Sequence, residues 1–390
     1  MNAHQRRMQE IRLQVPEVSV DEAFKAQQSG ALLLDVREPE EVAGGSPIDA
    51  ARLVRGFLEL EIEKLESDFD RQIRVICAGG TRSLYAARGL QELGYQDVAS
   101  VSGGFAAWKQ NSLPFEIPRT LGPEQRERYG RHITIPEVGE EGQLRLLDSK
   151  VLLIGAGGLG SPAALYLAGA GIGTLGIVDD DIVDRSNLQR QILHTDERVG
   201  ALKVESARQT LSALNPEVRI HTHPVRLSPE NVEEIFSGYD LVIDGTDNFP
   251  TRYLVNDACV KLGLPNVHGA IYRFEGQVSV FWPAFAGANG PCYRCLFPEP
   301  PPAEIAPSCA EAGVLGILPG VVGTLQAVEA VKILLGIGEP LTGRLVLYDA
   351  LKQRFTELKI DRNTECAWCS EGAQITHYPD YELLCATALA

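Results

Sequence analysis

The sequence predicts two α/β domains in tandem, a small one and then a larger dinucleotide-binding type layer with a mixed sheet and a structural zinc site. Three observations carry that prediction. Residues 11–117 alternate short apolar runs with helical patterns, as in ALLLDV, FLELEIEKLES, RVICA, LYAARGLQELG and VASVSGG, an alternation that favours a small α/β layer. Further on, KVLLIGAGGLGSPAALYLAGAG reads as a strand, a glycine turn and a helix. Two Cys-x-x-Cys pairs, Cys292/Cys295 and Cys366/Cys369, stand far apart in the chain. Each supplies two thiolates, and a fold that brings the pairs together closes a tetrahedral zinc site.

Length and composition bound the class. A chain of 390 residues accommodates two or three hydrophobic cores. With 44% apolar and 23% charged residues it reads as soluble and globular. No apolar stretch is expected to reach the length of a membrane span, and MNAHQRRMQE is a basic start without the hydrophobic segment of a signal peptide. Eight cysteines are too few in so long a chain for a secreted disulfide scaffold, and four serve better as metal ligands, so a reducing, cytoplasmic location is expected. A formal charge of −16 argues against nucleic acid as a partner, while leaving room for a local basic pocket for ATP.

In the small domain, Cys77 opens the loop CAGGTRS directly after the RVICA strand and before the next helix. Backbone N–H groups and the Arg82 guanidinium at the end of that loop suit a reactive thiolate, the alternative being an inert buried cysteine. Three prolines in NSLPFEIPRTLGPEQ place a boundary near residues 112–122.

In the large domain, GIGTLGIVDDD supplies the second strand and YDLVIDGTDN another, while GQVSVFWPAF, LVLYDA and FTELKI suit a partly antiparallel continuation. Gly155, Gly157 and Gly160 form GxGxxG, with Gly158 in the same turn, and Asp179 or Asp181 ends the following strand. The first glycine permits the turn, the second lets the backbone approach phosphate, and the third permits close packing. The acid is placed to receive ribose hydroxyls. Alone, this motif suggests NAD or FAD. The stretch NLQRQILHTDERVGALKVESA then adds Asn187, Arg190, Gln191 and Lys203. Cations around a triphosphate stabilise charge during displacement, a need that hydride transfer does not have. Asp247 follows the strand YDLVID, where a carboxylate can hold magnesium, with Asn248 holding the loop. Surface cations and a helix cap are the plainer readings of these residues.

Taken together, RYGRH, GAGGLG, VDDDIVDRSNLQRQ, VGALKVESA, DGTDN, HGA, GQV, PCYRCLFPEPPP, SCAEAGVLG and ECAWC resemble the MoeB/ThiF family of ubiquitin-like-protein activating enzymes over residues 125–370. That resemblance implies adenylation of the C-terminal glycine of a MoaD/ThiS-like sulfur carrier ending in Gly-Gly, with ATP, Mg2+ and Zn2+. It assigns Asp179 to the ribose, Asn187, Arg190 and Lys203 to the phosphates, and Asp247 to the magnesium. Arg131 of RYGRH becomes an arginine finger reaching the other subunit of a homodimer. Residues 19–117 resemble a rhodanese domain, with DVREPEE near its first strand and Cys77 as the persulfide carrier. Asp35 and Arg37 then read as structural, and AGGSPIDAARLV departs from the family's usual pattern. The flanks, residues 1–18 and 371–390, are expected as extensions, and 118–124 as a linker.

The combination resembles MoeZ-type sulfurtransferase–adenylyltransferases. In such fusions the rhodanese part more often comes last, whereas here it comes first. Three functions compete: sulfur-carrier adenylation coupled to sulfur transfer, most useful in molybdopterin synthesis; an NAD- or FAD-dependent oxidoreductase with a thiol domain; and a noncatalytic scaffold. Under the first, thiosulfate or a cysteine desulfurase persulfide supplies sulfur, and Cys309 takes a covalent role after adenylation.

Overall fold

The computed structural model describes residues 3–285, 290–300 and 313–387. It divides into two compact units, Met1–Thr120 and Leu121–Ala390, each with its own core.

In the first unit, five parallel strands are ordered β1–β6–β5–β2–β4: β1 (Glu17–Val18), β2 (Leu32–Asp35), β4 (Ala51–Arg52), β5 (Ile73–Ile76) and β6 (Val98–Val101). A separate antiparallel pair joins β3 (Ser46–Pro47) to β7 (Phe115–Glu116). Every residue of β5 and β6 is buried, as expected where helices cover both faces of a parallel sheet. The helix Thr81–Leu93 follows β5 and stops at Gly94, whose φ of 109° suits the left-handed cap only glycine adopts cheaply. The segment before residue 19 is more than an extension. It carries the helix Ala3–Arg12, and Met8, Ile11 and Val15 are buried in the same core as β5 and the helix Thr81–Leu93.

The second unit is built on one eight-stranded sheet. Its order is β10–β9–β8–β11–β12–β13–β14–β15, from β8 (Lys150–Ile154), β9 (Thr174–Val178), β10 (Arg219–His223), β11 (Leu241–Asp244), β12 (Asn266–Tyr272), β13 (Glu275–Phe281), β14 (Arg344–Asp349) and β15 (Arg354–Lys359). The first five are parallel and the last three antiparallel, which is the mixed sheet the sequence predicts. Strand order reverses between β8 and β11, so their carboxyl ends open a crevice where α/β sheets bind ligands.

The sequence expectation about apolar stretches needs correcting. The helix Leu318–Leu335 is long and apolar enough to span a membrane by length and composition. Here it is a core helix packed on β12, β13 and the helix Gly160–Ala170. At Gly323 a Cβ would collide with the Leu159 carbonyl, so this glycine sets how closely the two helices approach.

Candidate functional site

The crevice at the β8/β11 switch holds a cavity of about 340 Å³, within the size range of small-ligand sites. Gly155, Gly157 and Gly158 form its floor, Asp179 and Asp181 one wall, Arg190, Gln191 and Lys203 another, and Thr246, Asp247 and Asn248 the far end. Gly155 turns with a φ of 95°, and a Cβ at Gly160 would overlap the Gly155 carbonyl. The first and third glycines of the motif therefore do what their spacing predicts. Gly160 does not line the cavity; it seats the helix Gly160–Ala170 against the turn.

Asp179 is nine-tenths buried. Its carboxylate accepts the Ala156 N–H at 2.8 Å and the Asp181 N–H at 2.9 Å, with Lys203 Nζ 4.0 Å away. Burial pushes its pKa up, and the nearby ammonium and the two N–H donors pull against that shift. Lys203, itself buried at the start of the helix Lys203–Leu214, donates to Asp181 at 2.8 Å. Asn187 does not line the cavity. Its Oδ1 accepts from Arg190 Nη2 at 2.8 Å and so orients that guanidinium. Asn248 caps the helix Phe249–Leu262 by accepting the Thr251 N–H at 3.0 Å, which also holds the turn carrying Asp247.

Several lining residues escaped the sequence reading. Arg226 comes from the loop after β10, Thr246 from the loop after β11, and Thr251 and Arg252 from the helix that follows. Arg252 is buried and donates to the Thr246 carbonyl at 2.9 Å. Gln191 Oε1 and Arg252 Nε are buried without a protein hydrogen-bond partner; the Arg252 donor suits an anionic oxygen, and the Gln191 acceptor suits a ligand hydroxyl or N–H. His194 braces the floor: its Nε2 donates to the Ala156 carbonyl at 2.9 Å, so Nδ1 accepts from Ser206 at 2.9 Å. Arg131 lies exposed on the helix Pro123–Ile133 and is not among the lining residues.

The four cysteines of the two short pairs do converge. Their sulfurs lie within 4.8 Å of one another, with Cys292–Cys295 at 3.8 Å, Cys292–Cys366 at 3.7 Å and Cys295–Cys369 at 3.4 Å. A tetrahedron of roughly 2.3 Å metal–sulfur bonds needs edges of about 3.8 Å. The donor set and its spacing therefore fit a closed metal site.

In the first unit, Cys77 is 1% exposed at the base of its loop. Its sulfur accepts the Gly80 N–H at 3.2 Å and lies 3.4 Å from Ser83 Oγ. The Arg82 guanidinium makes two 2.6 Å bonds to Glu41, so it is already paired, a partner 41 residues away that the loop's sequence did not announce. Asp35 is fully buried and ligated by Arg37 and Ser46, which is the structural role expected of it. Cys309 lies outside the described residues.

Residues 129–368 match the ThiF family and residues 19–111 the rhodanese-like domain. A sulfur carrier protein adenylyltransferase of Thermus thermophilus is 55% identical over 67% of this chain and 97% of its own length. A probable adenylyltransferase/sulfurtransferase, MoeZ, of Mycobacterium tuberculosis is 51% identical over 70% of this chain and 69% of its own. Escherichia coli MccB, solved with ATP, is 21% identical with a TM-score of 0.53 over 68% of this chain and 80% of that one, a likeness of fold. Joined to the cavity and the cysteine loop, these matches establish that the chain belongs to the ThiF family, in a form that also carries a rhodanese-like domain, and is an adenylyltransferase/sulfurtransferase of that type.

Proposed function

We propose that the protein uses ATP to adenylate the C-terminal glycine of a ubiquitin-like sulfur carrier of the MoaD/ThiS kind, and then exchanges the adenylate for sulfur supplied through Cys77. The observation that carries this reading is the pairing, in one cavity, of a glycine turn and a ribose-type acid with Arg190, Lys203 and Arg252. A carboxylate attacking an anionic α-phosphate needs such charge neutralisation, and hydride transfer does not. The carrier carboxylate oxygen bonds to the α-phosphorus and pyrophosphate leaves. Asp247 would hold a magnesium ion, which would supply further charge neutralisation for the phosphates. The names of the Thermus and Mycobacterium relatives support both half-reactions.

For the second step, thiosulfate or a cysteine desulfurase leaves a persulfide on Cys77. Its terminal sulfur attacks the acyl carbon, AMP departs, and an acyl disulfide joins carrier to enzyme. A second thiol, Cys309 in this reading, attacks the Cys77 sulfur and releases the thiocarboxylate, and an external thiol reduces the disulfide left behind. The pathway this product suits best is molybdopterin synthesis. The four cysteines are the residues that would hold zinc as a structural centre. The test is exchange of labelled pyrophosphate into ATP with a Gly-Gly-ended carrier present. Stimulation by that carrier is expected, and exchange indifferent to every such carrier removes the reading.

A further inference from the structure

The four-cysteine module and the nucleotide cavity share a buried carboxylate that neither the ligand set nor the cavity wall includes. Asp257, fully buried on the helix Phe249–Leu262, accepts two bonds from Arg294, at 2.9 and 2.8 Å. Arg294 stands between Cys292 and Cys295. Its guanidinium also stacks 4.3 Å from the ring of Trp368, which stands between Cys366 and Cys369. Asn256, the preceding residue on the helix, accepts the Tyr293 N–H at 2.7 Å. Both cysteine pairs are thus fastened to one helix through the residues they enclose.

The other end of that helix belongs to the cavity. Asn248 caps it, and Asn248, Thr251 and Arg252 line the far wall. Arg252 and Asp257 are separated by about 7.5 Å of helix axis, too short and too regular a span to absorb a shift at one end. A third element closes the arrangement. The helix Tyr381–Thr387 packs on the helix Phe249–Leu262, Tyr381 donates to Asp257 at 2.7 Å, and Glu382 pairs with Arg226 of the cavity wall at 2.5 Å. This last helix lies beyond residue 368, where the family match ends.

We propose that Asp257 is a positioning residue through which the four-cysteine module and the C-terminal helix fix the wall of the nucleotide cavity. Asp257 accepts four bonds, two from Arg294, one from Tyr381 and one from Asn256 Nδ2 at 2.8 Å, and a carboxylate so engaged in a dry interior has one low-energy arrangement, because releasing any donor leaves a buried polar group unsatisfied. The Glu382–Arg226 pair is exposed and contributes little energy; Tyr381, 4% exposed, is the anchor. This inference rests on the reading of the cavity as an ATP site.

The test uses the full chain, a fluorescent ATP analogue, native mass spectrometry for metal, and pyrophosphate exchange. Tyr381→Phe is expected to keep its fold and metal yet bind the analogue roughly five- to tenfold more weakly, with KM for ATP raised and kcat little changed. Asp257→Asn, which leaves Arg294 without its charge partner, loses more, and adding Arg294→Gln restores part of the affinity. Should Asp257→Asn fail to fold, Tyr381→Phe carries the test. If the unmodified chain binds the analogue and folded, metal-loaded Tyr381→Phe binds it equally well, the positioning role is overturned while the nucleotide reading stands. If the unmodified chain does not bind it, both fall together.

Discussion

Under the proposed function, Asp179 combines two demands that conflict: it is buried at the end of β9 beside the nucleotide cavity, and receiving ribose hydroxyls requires its charged form. Burial raises its pKa. The folded state therefore holds its proton more tightly than the unfolded chain does, so this group's contribution to stability falls as pH rises from about 3.9 through the raised folded value. Asp179→Asn removes the titration. Thermal midpoints across that window are expected to shift progressively in the variant's favour with rising pH and then level off, while affinity for ATP drops; parallel midpoints at all pH values contradict the burial argument. Arg190 is the cleaner catalytic test, because it is held by Asn187 rather than by a buried acid. Arg190→Ala should lower pyrophosphate exchange by roughly a hundredfold with an unchanged unfolding midpoint. Lys203→Ala should lose both exchange and stability, since Asp179 is left buried beside no cation. Arg190 and Lys203 were legible in the sequence because they follow the acid-ended strand within one continuous stretch. Arg226 and Arg252 were not, because they follow other strands, β10 and β11, and only the strand order brings their carboxyl ends to the same crevice.

Whether an element could be read from sequence depended on how locally its shape is decided. The glycine turn is fixed within six residues, so both its φ of 95° at Gly155 and the tight approach at Gly160 follow from spacing. Gly160→Ala forces the helix Gly160–Ala170 off the turn and should cost about 1–3 kcal/mol. Gly155→Ala should cost roughly 1–2 kcal/mol through its left-handed backbone. Chemical denaturation of the two variants measures both, and a neutral Gly160→Ala removes the packing role. The four-cysteine cluster was equally legible, since each short pair needs only one partner. The terminal helices were not. Ala3–Arg12 has a polar average and, among its described side chains, two buried positions, Met8 and Ile11, with Val15 buried just beyond its end, and no local signal distinguishes such a helix from a solvated extension. Tyr381–Thr387 gains its place from Tyr381, whose ring is buried in the core and whose hydroxyl donates to Asp257. Chelation of a metal held by the four cysteines should loosen that whole region, and hydrogen exchange is expected to rise in the helices Phe249–Leu262 and Tyr381–Thr387 before the rest of the sheet.

At the scale of the molecule, the two chemistries stand in separate compact units: the cationic cavity in Leu121–Ala390 and the Cys77 loop in Met1–Thr120. A site that lacks Arg131 among its own lining residues suits the cross-subunit finger that the family resemblance implies. Mixed dimers of Arg131→Ala with Arg190→Ala should then recover exchange, because one site receives an intact Arg190 and its partner's intact Arg131; no recovery means both residues serve one chain. The sulfur step is tested independently of that geometry. Cys77 sits buried at the base of its loop, where the Gly80 N–H points at the sulfur and Glu41 engages the Arg82 guanidinium; none of these groups belongs to the cationic cavity of the second unit. Cys77→Ala should therefore retain carrier-stimulated pyrophosphate exchange while losing the product. The intact mass of a Gly-Gly-ended carrier, incubated with ATP, magnesium and thiosulfate, should rise by about 16 Da with the unmodified enzyme as sulfur replaces oxygen. With Cys77→Ala it should not change. An equal mass gain at an equal rate in the variant means that sulfur reaches the adenylate by another thiol, and the first unit is then not the sulfur-transfer step.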